Sequence, residues 1–461
     1  MKAGEPSAAV ERDLRTLLGD EAVLPGTTPE YLSDETETRG LQGYAEAVCL
    51  PSNSEQVASV VTWCYQRGVP IVPRGGGTGY AGGAVPIEGG VVVALERMAH
   101  VRSFDPLLWR IQVDAGVRTA TLRRVVRENG LVFPPDPGAA EQSQIGGNVA
   151  TNAGGPHTFK YGVTGAWVTG LEAVLPPGDL LRVGGAIRKD VAGYDLKNLL
   201  IGSEGTLGVV TAVWLKLIPA PDASLPVVAF YRDTGSGTAA IAAVLGNGIA
   251  AAALEYLDAG ALDAARGSFP AAVPDGARFM VIAEADGSAA EAVRLQANLG
   301  EALAEGAEAV FAPDSSGEAA ALWRWRDGVS IAVTAQRGGK VSEDIVVPLD
   351  RLAEAVERTL EIGRRHALPT CSWGHAGDGN LHSTFMVDVH DDAELARAHA
   401  AAQELFGLAA ELGGSISGEH GTGWVKRGQL ARQWAPRLLE LQAAVKHAFD
   451  PKGLMNPGKK Q

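Results

Sequence analysis

The stretch Pro73-Arg74-Gly75-Gly76-Gly77-Thr78-Gly79-Tyr80-Ala81-Gly82-Gly83 constrains this chain more than any other. Six of its eleven residues are glycine, so the backbone there is almost bare. Glycine takes positive φ without a Cβ clash, and a bare backbone lets N–H groups approach a phosphate closely. Gly77, Gly79 and Gly82 also satisfy G-x-G-x-x-G, a dinucleotide pattern that needs a strand before it and a helix after it. Val69-Pro70-Ile71-Val72 supplies the strand. The residues from Ala84 to Leu95, AVPIEGGVVVAL, read instead as a turn and a buried strand, so no Rossmann helix is expected. A loop that cradles a pyrophosphate between strands remains. The β-branched runs on both sides argue against a flexible linker.

With 461 residues the chain has room for two or three domains and a large core. Its net charge of −14 disfavours nucleic-acid binding, which relies on Lys and Arg neutralising phosphates. Residues 1–10 show neither a basic n-region nor an apolar h-region, and no apolar run is long enough to span a bilayer. The expectation is a cytoplasmic protein, with peripheral attachment to the inner face of a membrane left open. Cys49, Cys64 and Cys371 are too few and too scattered for a disulfide framework or an iron–sulfur cluster. The 58 glycines are an excess over the usual ~7%, and they cluster. Clustering points to ligand-facing loops.

Along the chain, a charged helix is expected over Ala8–Leu18 and a strand at Ala47–Pro51. A helix follows, with Ser54 as its cap and Val57, Val60, Val61 and Cys64 on one face. After the glycine loop, Arg110–Gly116 alternates as a strand, and Thr119–Asn129 reads as a helix stopped by Gly130. A loop-rich block then runs from Phe133 through Pro137 to Gln144-Ile145-Gly146-Gly147-Asn148-Val149-Ala150-Thr151-Asn152-Ala153-Gly154-Gly155. Its glycines allow close backbone approach, and its Asn and Thr offer donors to the polar edge of a flat ring; a purely structural turn cluster is the alternative. The block Gly202–Thr211 precedes a strand that ends in Pro219-Ala220-Pro221-Asp222, a domain boundary. The expected divisions are a lead-in over 1–42, a cofactor domain over 43–221 and a second domain over 222–461. The second carries helices near 237–245 and 288–304 and strands near 227–231, 279–285 and 344–347.

Two later glycine-rich segments hold histidines: Gly374-His375-Ala376-Gly377-Asp378-Gly379-Asn380-Leu381-His382 and Ser417-Gly418-Glu419-His420-Gly421-Thr422-Gly423. Imidazole together with carboxylate suits zinc or another divalent first-row metal. The candidate ligands are His375, His382 and Glu419, which leaves His420 as a base beside the metal. A His-x6-His interval is not a standard ligand spacing, so by itself the pattern is balanced between a metal site and structural histidines.

Taken together, P-R-G-G-G-T-G, I-G-G-N-V-A-T-N-A-G-G, G-S-E-G-T-L-G, K-V-S-E-D, G-H-A-G-D-G-N-L-H, S-G-E-H-G-T-G and the closing Asn456-Pro457-Gly458-Lys459 resemble the FAD-linked D-2-hydroxyacid dehydrogenases. These belong to the vanillyl-alcohol-oxidase superfamily and include the glycolate oxidase flavin subunit, D-lactate dehydrogenase and D-2-hydroxyglutarate dehydrogenase. The likeness runs from about Tyr44 to Lys459. It implies an α+β fold: a two-subdomain FAD-binding domain and an α+β C-terminal cap domain, with the last residues returning to the flavin. By position, Pro73–Gly83 would hold the pyrophosphate. Pro137, Gln144–Asn152, Gly154, Gly155, Tyr161 and Asn456 would line the flavin, with Gly205 and Val209 toward the adenine. The glycine loop holds no histidine, so FAD is expected without a covalent link.

The family's metal ligands fall on His375, His382 and Glu419, with zinc foremost and manganese or iron as alternatives, and its base falls on His420. Arg326, Ser330 and Lys340 fall where relatives grip the substrate carboxylate, against the plainer reading of solvated or inter-domain cations. Tyr80 and Thr422 depart from common family residues and put substrate range in question. The implied reaction oxidises a D-2-hydroxy acid to its 2-oxo acid by hydride transfer to flavin N5, the metal orienting the substrate.

Three alternatives stand behind this one. They are a metal-free flavin oxidase of another alcohol, a flavin subunit of a larger electron-transfer assembly, and a non-catalytic nucleotide-binding protein. The electron acceptor is open among quinone, electron-transfer flavoprotein, cytochrome and oxygen. A homodimer and a separate iron–sulfur chain are both compatible with the sequence.

Overall fold

The computed structural model describes residues 8–36 and 40–461, so residues 1–7, part of the leader expectation, lie outside the described residues. The fold is α+β, and the chain forms two compact units. The first comprises residues 1–154, 163–220 and 419–461, and the second 155–162 and 221–418.

In the first unit a four-stranded sheet runs in the order Val23–Pro25, Ala47–Cys49, Val91–Ala94, Ile71–Arg74, with the last three strands parallel. The short β-branched runs 71–74 and 91–94 are buried on both faces, as parallel strands require. The helix Ser54–Arg67 packs its Val57, Val60, Val61 and Cys64 stripe into this core. Its cap is Asn53, not Ser54: the Asn53 side chain accepts from the Gln56 amide at 2.9 Å. Ser54 is instead buried inside the helix, donating to Glu172 at 2.6 Å. Glu172 also takes Arg102 and Arg182, and that internal demand removes Ser54 from the capping position. A five-stranded antiparallel sheet follows, in the order Val101–Asp105, Arg110–Asp114, Val209–Lys216, Val168–Leu175, Asp179–Gly184.

The second unit is built on a seven-stranded antiparallel sheet. Its order is Ala309–Phe311, Ala223–Tyr231, Phe279–Gly287, Ala253–Leu257, Thr370–His375, Asn380–Val387, Gly339–Val346. Successive residues of a strand face opposite sides, and the register divides the sheet cleanly. One face carries Tyr256, Phe279 and Ser383, covered by helices that include Thr234–Gly246 and Leu352–Arg365.

The other face is split. At one end Phe230, Met280, Ile282, Leu257, Trp373 and Met386 bury an apolar core beneath helices Ala259–Ala265, Ser316–Asp327 and Val329–Ala335. Burial of each such large side chain contributes roughly 1.5–3 kcal/mol. At the other end the same face carries Glu255, Glu284, Asp286, Asp344, His375 and His382, all buried. Charges buried at one end of a sheet face cost stability unless each has partners, so this end is a candidate site.

Candidate active site

The glycine loop leaves the Ile71–Arg74 strand and runs against the backbone of 142–147. A Cβ on Gly76 would stand 2.2 Å from the Gln142 carbonyl oxygen, and one on Gly75 would stand 3.2 Å from Gly147 Cα. Gly77 and Gly82 have φ of +70° and +71°. No Rossmann helix follows; turns lead to the Val91–Ala94 strand. Arg74 turns its guanidinium to the carbonyls of Ser33 and Glu30 (2.7 and 2.8 Å), and burial lowers its pKa.

The Gln144–Asn152 segment, expected as a loop, contains a helix, Ile145–Thr151. Tertiary packing overrides the low helix propensity of its glycines: a Cβ on Gly146 would meet Ala115 Cβ at 2.6 Å. Asn148 donates to Thr119 at 2.7 Å, Thr151 to the Gly147 carbonyl at 3.1 Å, and Asn152, left-handed at φ 55°, accepts from the Gly165 amide. Gly205 lies over Pro73 at φ +70°, Val209 is buried, and Pro137 is half-buried.

Asn456 joins these loops by donating to the carbonyls of Gly83 (2.9 Å) and Glu204 (2.7 Å). Lys459 donates to Val85 and Asn456, and burial pushes its ammonium down to about 8. The structure therefore gathers the Pro73–Gly83, Gln144–Asn152, Gly202–Gly208 and C-terminal motifs within the first unit. Gly155 and Tyr161 belong to the second unit, where Tyr161 donates to Asp286 at 2.5 Å.

Two observations fit this cradle to FAD. A Cβ on Gly79 or Gly83 would meet no protein atom within 4 Å, so internal packing does not demand their bareness. Gln144 Oε1 is buried with no hydrogen-bond partner among the described residues, a state that is costly unless a ligand donor meets it.

The loop carrying His420 is held inside the first unit by Glu204. The buried Glu204 carboxylate accepts from the amides of Thr422 (2.9 Å) and Gly423 (2.6 Å), and Lys460 lies 3.2 Å away. Gly421 and Gly423 turn through φ of +81° and +49°. The rings of Tyr80 and His420 lie 4.8 Å apart between centroids.

In the second unit, the interval between His375 and His382 resolves into a hairpin. His375 ends one strand, His382 lies on the next, and Trp373 pairs with His382 in register. The two imidazoles therefore share a face, with centroids 5.3 Å apart and planes at 87°. Gly379 turns the hairpin at φ +68°. Asp344, opposite His382, accepts from Asn380, from Ser417 Oγ (3.0 Å) and from the Gly418 amide (2.8 Å). Glu419, half-buried, is the next residue of the chain.

Glu255 lies opposite His375 and accepts from His375 Nδ1 at 2.7 Å and from Arg326 Nε at 2.9 Å. Burial opposes its charge, but His375 and Arg326 outweigh that and hold its carboxyl below the ordinary value. Arg326 is thus a buried, paired cation and not a solvated one. Lys340, also buried, donates to Ser330 and to Thr334 Oγ1 (2.9 Å), so Ser330 and Lys340 are in direct contact.

The sequence analysis missed Glu204, Glu255 and Asp344 as individuals. The signal available for Glu255 is an acid alternating with apolar residues in Ala253-Leu254-Glu255-Tyr256-Leu257. Cys49, Cys64 and Cys371 are buried free thiols, and no helix among the described residues is long and apolar enough to cross a membrane.

Comparison with known proteins agrees with this geometry. Residues 45–184 match the FAD binding domain family and residues 220–460 the FAD linked oxidases, C-terminal domain family. The chain is 37% identical to glycolate oxidase subunit GlcD of Bacillus subtilis, covering 95% of this chain and 96% of that one. It is 32% identical to D-lactate dehydrogenase of Anaerostipes hadrus (96% and 94%), and 33% to mitochondrial D-2-hydroxyglutarate dehydrogenase of Arabidopsis thaliana (96% and 80%). Among solved structures, 4-ethylphenol oxidase from Gulosibacter chungangensis superposes with a TM-score of 0.81 at 21% identity, covering 99% and 97%. p-Cresol methylhydroxylase superposes at 0.80 and 18%, covering 98% and 96%. The fold is that of the vanillyl-alcohol-oxidase type, and the chain belongs to the FAD-linked oxidases as an FAD-dependent oxidoreductase.

Proposed function

We propose that this protein oxidises a D-2-hydroxy acid of the glycolate, D-lactate or D-2-hydroxyglutarate type to the 2-oxo acid, using non-covalent FAD and a divalent metal. The carrying observation is one sheet face that holds two adjacent imidazoles, His375 and His382, with the buried Glu255 carboxylate joining His375 to the buried Arg326 of the helix docked on that face. Imidazole pairs suit a metal, and buried cations suit a small carboxylate. The relatives' names supply the substrate class.

His375, His382 and Glu419 would hold the metal, zinc foremost, and a bound divalent cation supplies Lewis-acid stabilisation of a developing oxyanion. FAD, when bound, supplies the two-electron acceptor at N5. The protein's own side chains do the rest. Arg326 and Lys340, with Ser330 orienting the lysine, fix the substrate carboxylate. His420 takes the hydroxyl proton, a task suited to imidazole near neutral pH. As that proton leaves, the Cα hydrogen departs with its electron pair, giving the 2-oxo acid. The bare Pro73–Gly83 loop and Gln144 hold the cofactor by backbone and amide contacts, without a histidine link.

Anaerobic mixing with D- and L-lactate, glycolate, D-2-hydroxyglutarate and D-mandelate, followed by flavin bleaching near ~450 nm, tests the reading. Rapid bleaching by one D-acid is expected. A yellow protein that none of them bleaches contradicts it.

A further inference from the structure

We infer that Glu255 is a positioning residue that sets the metal-facing nitrogen of His375 and the substrate-facing edge of Arg326 at the same time, so that one carboxylate couples metal binding to carboxylate binding. The inference rests on the metal reading above and extends it to a residue outside the ligand set.

Glu255 has no exposed surface, and its strand neighbours Leu254 and Tyr256 are fully buried. A lone carboxylate in such surroundings is destabilising unless fully partnered, and its partners are specific. Oε1 faces His375 Nδ1 at 2.7 Å; Oε2 takes both Nε and Nη2 of Arg326. No other partner of Glu255 exists among the described residues.

Each half has a chemical consequence. An imidazole that donates from Nδ1 carries its lone pair on Nε2, so Glu255 selects the tautomer and fixes the ring plane at right angles to His382. A carboxylate accepting from the distal N–H also raises the basicity of the ligating nitrogen, an outer arrangement whose loss typically costs ~10–100-fold in metal affinity. Arg326 presents a fork of five N–H groups. With Nε and Nη2 held by Glu255, Nη1 is the nitrogen that takes no partner among the described residues. The guanidinium therefore keeps a fixed, pre-oriented edge, where a flexible arginine would lose side-chain entropy on binding.

The antiparallel register explains why one residue can do both. Glu255 stands directly opposite His375, and the Ser316–Asp327 helix, anchored by Trp325 to the Ala265 carbonyl at 2.9 Å, brings Arg326 onto the same carboxylate. Trp323, three residues earlier on that helix, donates in the same way to Glu284 on the neighbouring strand. The helix is thus registered against the sheet by two carboxylates, and only one of them also meets a candidate metal ligand.

The test uses the FAD-loaded protein freed of metal by chelator. Zinc affinity is measured by equilibrium dialysis, and the His375 tautomer by nitrogen-15 NMR of histidine-labelled protein, for the parent, Glu255→Gln and the double variant Glu255→Gln/Arg326→Met. The double variant removes the buried charge pair together, so it remains informative if the single variant fails to fold. The expected result is zinc affinity lowered ~10–100-fold in the variants, loss of the Nδ1–H tautomer at His375, and a raised substrate KM at saturating zinc in Glu255→Gln. Zinc affinity within about threefold of the parent, with the tautomer unchanged, overturns the inference. A parent chain that takes up no zinc overturns the metal reading and the coupling with it. That failure is distinguishable because it appears in the parent, whereas failure of the inference alone shows parent and variants binding alike.

Discussion

The cofactor cradle of the first unit and the charged sheet face of the second accommodate polar groups by opposite means. The cradle works by removing side chains. Gly76 lets the loop lie against backbone where any Cβ would collide, Gly75 leaves only tight room beside Gly147, and Gly77 leaves room for the Arg74 guanidinium; the loop's polar groups are mostly backbone amides. The sheet face works by adding charged side chains and then neutralising each one: Glu255 with Arg326 and His375, Asp286 with Lys160 and Tyr161, and Glu284 with His157 and Trp323. A bare cradle tolerates loss of a polar group but not gain of bulk. A charged face tolerates modest changes of bulk but not an unpaired charge. Substitutions should therefore fail in different ways in the two regions.

The largest effect on turnover is expected at His420. His420→Asn should slow flavin reduction by roughly 10²–10⁴-fold while flavin and zinc contents stay at parent levels; unchanged single-turnover rates would remove it as the base. Next comes Gly76→Ala, which places a methyl 2.2 Å from the Gln142 carbonyl oxygen. Strain of about 3 kcal/mol should weaken FAD binding about a hundredfold, yielding pale protein. If the variant purifies fully yellow, the cradle is not as tight as described.

A smaller effect is expected at Glu204, which holds the turn after His420 through two amides. Glu204→Gln weakens charge-assisted bonds worth about 1.5–3 kcal/mol, so flavin reduction should fall roughly tenfold or more, with KM and flavin content nearly unchanged. A change confined to flavin content would assign Glu204 to the cradle instead.

These three positions show how unevenly the molecule was legible. The cradle could be read directly because its bareness is local: consecutive glycines mark consecutive backbone positions, and the turns at Gly77 and Gly82 follow from composition. The helix Ile145–Thr151 was hidden because two glycines in seven residues mask its propensity, and only the Gly146–Ala115 contact shows why it forms. Ser54 looked like a cap until the buried Glu172, 118 residues away, claimed its hydroxyl. On the sheet face, His375 and His382 stand out by composition, but their shared side depends on hairpin register. Glu255 and Arg326, 71 residues apart, meet only through a helix docked on a sheet. Local chemistry was readable where one segment makes the site, and not where register between distant strands makes it.

Asp258 should show the smallest effect on turnover and a clear one on stability. It is fully buried at the apolar end of the sheet face, capping the Ala259–Ala265 helix through the Ala261 amide (2.9 Å) and accepting from the Ser372 amide (2.8 Å). Burial raises its carboxyl to about 7, despite these amides. Between ~4, where the unfolded carboxyl titrates, and about 7, the folded state holds a proton that the unfolded chain has released. Stability from this group therefore falls as pH rises through that window, and the deficit is complete above it. Asn keeps the cap and never ionises. The stability of Asp258→Asn relative to the parent, from urea midpoints, should thus rise between pH 4 and pH 8 by roughly 2–4 kcal/mol; a pH-independent difference would place the Asp258 titration elsewhere.

The most direct test of the central claim is anaerobic flavin reduction of one preparation in three states: as purified, after chelator treatment, and after zinc is restored, each mixed with the D-2-hydroxy acid that bleaches it fastest. Flavin content is read beside the rate, so that loss of FAD cannot imitate loss of metal. The expected result is fast bleaching, then a fall of at least about a hundredfold with the flavin still bound, then recovery with zinc. Equal bleaching in all three states, flavin retained throughout, would contradict the metal-assisted mechanism and assign the histidine pair a structural role.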